Sequence, residues 1–156
     1  LRSHDQRAPR DRRVLRRATE PPPPASPIQH IARIVLGAFL LFAGISHLTF
    51  ARQDFQAQVP DWVPADKDFV VIASGIVEIT LGGALITLGR LRIPVGWIVA
   101  AFFIVIFPGN ISQFITRTDA FGLTSDAARG IRLIFQPLLV VWALWSCGAL
   151  SRRGSR

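Results

Sequence analysis

The sequence predicts an all-α integral membrane four-helix bundle, and three observations carry that prediction. Half of the 156 residues are hydrophobic. They gather into four long blocks instead of the amphipathic stripes of a soluble domain. The basic residues stand at alternate ends of those blocks, as the positive-inside rule asks of a chain that crosses a bilayer an even number of times.

Residues 1–27 are Arg-rich and then Pro-rich, ending in "EPPPPASP". Such a composition buries too little apolar surface to offset chain entropy, so a disordered cytoplasmic tail is expected. No short apolar region with a small-residue cleavage site precedes the first long block, which argues against a signal peptide. The four-span domain is expected over 28–150, with helices at about 31–50, 69–88, 93–114 and 131–150, followed by a basic C-terminus at 151–156. Pro94 falls in the first turn of the third span, where a missing N–H costs little.

Charge sets the orientation. The tail, the second link (Arg90, Arg92) and the C-terminus (Arg152, Arg153, Arg156) are basic and belong on the cytoplasmic side. The first link carries Asp54, Asp61, Asp66 and Asp68, and the third mixes Arg117 and Arg129 with Asp119 and Asp126, so both face outward. The helices therefore run up, down, up, down, with both termini cytoplasmic. The net charge of +8 is mostly the tail, in the position of a topology signal, so nucleic-acid binding is not indicated. Cys147 is the only cysteine, which rules out a disulfide or CxxC pair within the sequence.

Polar residues inside the blocks are the candidate site. Counting 1.5 Å per residue from the outward end of each span puts His47 about 5 Å down, Asn110 and Gln136 about 8 Å, and Glu78 about 14 Å. Arg132 lies near the outer mouth, and Gln113 shares a side of the third span with Asn110. Ser74, Gly75 and Gly82 line the face of Glu78 and let a neighbouring helix approach closely. Pro108 and Pro137 free the carbonyls of Ile104 and Leu133. An unpaired carboxylate in hydrocarbon is costly, so Glu78 needs a partner: Arg132 first by sign, His47 second. Leu81 reads as lipid-facing. Trp62, with Phe55 and Val59, reads as an interfacial flap over the pocket, and Trp97 and Trp145 as belt residues. Two readings stay open, a polar glue between helices or a ligand or proton site. His30 and His47 lie on one helix about 25 Å apart, which excludes a bis-histidine haem, and one His with one Glu falls short of a metal cage. If the site were catalytic, Glu78 and His47 would carry the protons.

The series "GAFLLFAGISHL", "VPDWVP", "ASGIVEITLGG", "IFPGNISQF" and "IRLIFQPLLVVWALW" resembles the DoxX family of small four-helix membrane proteins over about residues 31 to 146. The resemblance implies a bundle in the bacterial cytoplasmic membrane, with His47, Glu78, Asn110, Arg132 and Gln136 at the matching polar positions. It also implies a link to oxidative-stress and sulfur metabolism, since one member is the membrane subunit of a thiosulfate:quinone oxidoreductase. The expected function is then a component of a membrane redox or stress-response assembly, without activity of its own. Its outer-half pocket would take a small lipophilic or anionic ligand. No cofactor is expected unless a quinone, and membrane lipid and redox or stress-response proteins are the expected partners. The alternatives are a quinone-linked oxidoreductase subunit and, more remotely, a transporter formed by a homo-oligomer.

Overall fold

In the computed structural model, which describes residues 24–120, 122 and 125–151, Ser26 starts the first long helix. Its hydroxyl accepts from the Gln29 N–H while the Gln29 side chain accepts from the Ser26 N–H, a capping box that opens α1 (Pro27–Leu48) ahead of the expected Ile31. Pro27 supplies a first residue that needs no N–H partner. The arginine-rich tail and the C-terminal arginines lie outside the described residues.

After a short helix, α2 (Arg52–Gln56), α3 (Lys67–Thr87) begins where the Asp66 carboxylate accepts from the Phe69 N–H. A single 3-10 turn, Gly89–Leu91, leads into α4 (Arg92–Thr116), which stays helical through Pro108 and stops at Arg117 in the left-handed region (φ 54°). The last helix, α5 (Asp126–Ser146), departs most from expectation. Ser125 caps it through the Ala128 N–H, so the polar stretch before Ile131 is already helical, and it ends before Gly148, whose φ is 78°. An apolar-block criterion misses that first turn because its residues are charged and small.

Four helices, α1, α3, α4 (with its leading 3-10 turn) and α5, are long and apolar enough to cross a membrane. The protein is thus a polytopic all-α membrane protein with four apolar spans. The tightest pairing is α1 against α3. A Cβ added at Gly37 would sit 2.8 Å from the Gly82 carbonyl, and one at Gly44 only 2.6 Å from the Gly75 carbonyl. Two pairs of glycines seven residues apart thus bring two backbones together, running in opposite senses. On the other side of the bundle α4 meets α5, with Gly96 against Cys147. By contrast α3 and α4, though consecutive, touch little.

All four long helices feed one core: Leu36 and Leu40, Leu81 and Leu85, Val95, Val99 and Phe103, Leu139 and Ala143, with Cys147 just past α5. One expectation changes here. Leu81 belongs to this core at 9 % exposure and does not face lipid, because the Gly75 and Gly82 face of α3 turns it inward. Cys147 is fully buried. The apolar residues that do face outward, Ile34, Phe42, Ile45, Ile76, Ile98 and Ile134 among them, are spread over the four long helices, as lipid solvation requires.

Candidate functional site

Between the helices and beneath the α2 segment lies a cavity of about 570 Å³. Its walls are mostly apolar, and its polar lining includes His47 from α1, Ser74 and Glu78 from α3, Asn110 from α4, and Arg132 and Gln136 from α5. Five of the six expected pocket residues therefore line one void. Gln113 stands behind it, 2 % exposed, and its Oε1 accepts from Arg132 Nη1 at 3.3 Å.

The glycine contact between α1 and α3 positions the histidine. The Gly75 Cα faces the His47 Cβ, which places His47 about one turn from Glu78 and not at the separate depth the helix count gave. The imidazole Nδ1 pairs with the Ser74 hydroxyl at 3.0 Å, Nε2 lies 3.5 Å from Glu78 Oε2, and the Phe55 ring covers its face with centroids 3.4 Å apart. The ion-pair contact of Glu78 is thus with His47, the second partner expected from sequence, and Arg132 turns to Gln113. At 3.5 Å the contact is longer than a hydrogen bond. Glu78 Oε2 is buried with no hydrogen-bond partner among the described residues.

Asn110 and Gln136 differ in kind. Asn110 Nδ2 donates to Gln136 Oε1 at 3.0 Å, and Gln136 Nε2 donates to the Phe103 carbonyl at 2.8 Å. That carbonyl is one residue before the Ile104 carbonyl expected to be freed by Pro108. The pair ties α4 to α5, the helix-gluing role that polar side chains play in membranes.

The roof is the segment between α1 and α3. Phe55, Gln58, Val59, Pro60, Trp62 and Val63 line the cavity from it, and Trp62 itself is 72 % exposed. Arg52 pairs bidentately with Asp68, to which Gln56 also donates at 2.8 Å, and Lys67 pairs with Asp61 at 2.6 Å. The Lys67 ammonium, hydrogen-bonded to Asp61, holds that carboxyl below its ordinary range, and Asp68 holds the Arg52 guanidinium further above its own. The roof touches α4 at Gly109, where an added Cβ would lie 2.9 Å from the Gln58 carbonyl. Gln58 Nε2 is likewise a buried polar atom without a hydrogen-bond partner among the described residues.

Sequence reasoning did not single out Gln58, whose only signal was its place beside Val59 in the flap. It also missed the buried Arg33 at the far end of the bundle, whose Nη1 donates to the Leu85 carbonyl at the close of α3. No group of three or more His, Cys, Asp or Glu among the described residues is placed to hold a metal ion.

Residues 36–147 match the family described as Domain of unknown function (DUF8561), a stretch that takes in most of the four-helix core and the whole cavity lining. No curated protein and no solved structure matches the chain.

Proposed function

The chain belongs to the DUF8561 family, and we propose that it is a membrane protein that binds a small lipophilic or anionic ligand in the cavity around Glu78. One observation carries this reading: Glu78, whose Oε2 is buried without a hydrogen-bond partner among the described residues, lines a void large enough for a small molecule. A polar residue kept only to glue helices is satisfied by those helices, as Asn110 and Gln136 are. A carboxyl oxygen left without a hydrogen bond in the interior costs about 1–3 kcal/mol. A ligand in the cavity supplies the missing donor.

By the positive-inside argument the helices run up, down, up, down with cytoplasmic termini, which sets the cavity in the outer half of the membrane. The similarity to DoxX proteins supports a place in the bacterial cytoplasmic membrane, as a component of a redox or oxidative-stress assembly with no activity of its own. The second reading is a quinone-linked oxidoreductase subunit. It is favoured by the buried His47–Glu78 pair facing the same void, a proton donor and acceptor within reach of a bound lipophile.

Organic extraction of the purified protein, followed by mass analysis of what is released, tests both. A stoichiometric lipophile, absent from a Glu78→Leu preparation of equal helicity, is the expected result. If it is a quinone that a donor reduces in place, the second reading takes over. Equal extracts from the two preparations would remove Glu78 from any ligand site.

A further inference from the structure

The cavity reaches the outside of the bundle at an informative place. Val77 on α3 and Val105 on α4 both line it, and both are exposed, at 41 % and 74 %. They stand on either side of the seam where consecutive long helices touch least. Val77 is ten residues from the start of α3 and Val105 eleven from the end of α4, about 15 Å and about 16 Å of helical rise. The opening is therefore at hydrocarbon depth and looks onto acyl chains, not water.

Inside, Glu78 and Gln58 both line the void, and each keeps a buried polar atom, Oε2 and Nε2, without a hydrogen-bond partner among the described residues. They come from different elements, α3 and the roof, and they are complementary. An amide nitrogen only donates, whereas a carboxyl oxygen accepts when ionised and can donate when protonated. A hydroxyl is the smallest group that answers both, since it accepts from one and donates to the other. A full charge is the wrong headgroup for a molecule that enters through the hydrocarbon, where ions are strongly disfavoured.

We infer that the ligand is an uncharged, hydroxyl-bearing amphipath taken sideways from the bilayer, its headgroup held between Glu78 and Gln58 and its apolar chain lying in the gap between α3 and α4. This rests on the ligand-site reading above and narrows it to a chemical class and a route. Gln58 becomes the residue that reads the headgroup, and the exposed valines frame the entry.

The test uses the full chain in phosphatidylcholine nanodiscs and three probes of one chain length: dodecan-1-ol, its methyl ether and dodecanoate. The ether still accepts a hydrogen bond but cannot donate one, so the alcohol binds about tenfold or more tightly than the ether. Gln58→Leu, in the roof and outside the helix packing, reduces that preference for the alcohol without abolishing chain binding. Val105→Trp, at the exposed mouth, slows loading about tenfold. Equal affinity for alcohol and ether, or preference for dodecanoate, would overturn the headgroup assignment while the ligand site stands. Unchanged loading in Val105→Trp would overturn the lateral route. Failure of all three probes, together with no copurifying lipophile, would overturn the ligand site itself.

Discussion

Glu78 and Leu81 lie three residues apart on α3 and both are buried, for opposite reasons. Leu81 packs into the common core with Leu36, Leu85 and Phe103, so Leu81→Ala removes close contacts and is expected to cost about 2–5 kcal/mol. Ile76, 53 % exposed on the same helix, points outward, and Ile76→Ala is expected to leave thermal stability nearly unchanged. Thermal unfolding of the two variants in one detergent checks the contrast, and equal losses would contradict the packing. Glu78 was legible from sequence as a misplaced charge, because an ionisable group within an apolar run needs an explanation. Its partner was less legible. Sign alone favours Arg132, whereas the glycines fix how α1 lies on α3 and hence bring His47 to the carboxylate.

At the scale of elements, glycine decides which helices approach. Gly37 and Gly44 on α1 interlock with Gly82 and Gly75 on α3, and the seven-residue spacing was visible in both helices. A single helix's small face does not name its partner, so the spacing alone does not pair α1 with α3. A methyl at Gly75 would lie 2.8 Å from the His47 Cβ and 3.0 Å from the Gly44 carbonyl. Gly75→Ala is expected to push α1 and α3 apart, lowering stability by about 1–3 kcal/mol and lengthening the His47–Glu78 contact. A melting curve within error of wild type would count against this close approach. Gly109 plays the same part for the roof: Gly109→Ala meets the Gln58 carbonyl and lifts the segment. Amide exchange over residues 52–63 is expected to quicken in that variant while exchange in α1 and α3 stays put; identical exchange would show that the roof does not rest on α4. Helix ends were the least legible feature, because Ser26 and Ser125 extend α1 and α5 through polar residues that no hydropathy window rewards.

Across the whole molecule, composition carried the most information. Four apolar spans follow from residue type and length alone, and the helices found match them in number and order. The shape between them did not follow. The seam between α3 and α4, the roof and the cavity depend on which small residues meet and where prolines and glycines sit. Those are relations between distant positions that no local pattern encodes. Orientation is open to a simple check that avoids the buried Cys147. Asp61, whose side chain is 92 % exposed, and Arg90, also exposed, lie in the first and second links. Asp61→Cys is expected to react with a membrane-impermeant maleimide in intact cells, and Arg90→Cys only after permeabilisation. The reverse pattern would invert the bundle and move the cavity to the inner half.

The central claim is that the Glu78 cavity holds a ligand. Native mass spectrometry of the wild-type protein released gently from membranes tests it most directly, with Glu78→Leu and Ile76→Ala run beside it. The wild type and Ile76→Ala should each carry the same small adduct in one-to-one ratio, and Glu78→Leu should lack it. An apo mass for all three, or one adduct shared by all three, would contradict the claim and leave Glu78 and His47 as a purely structural pair.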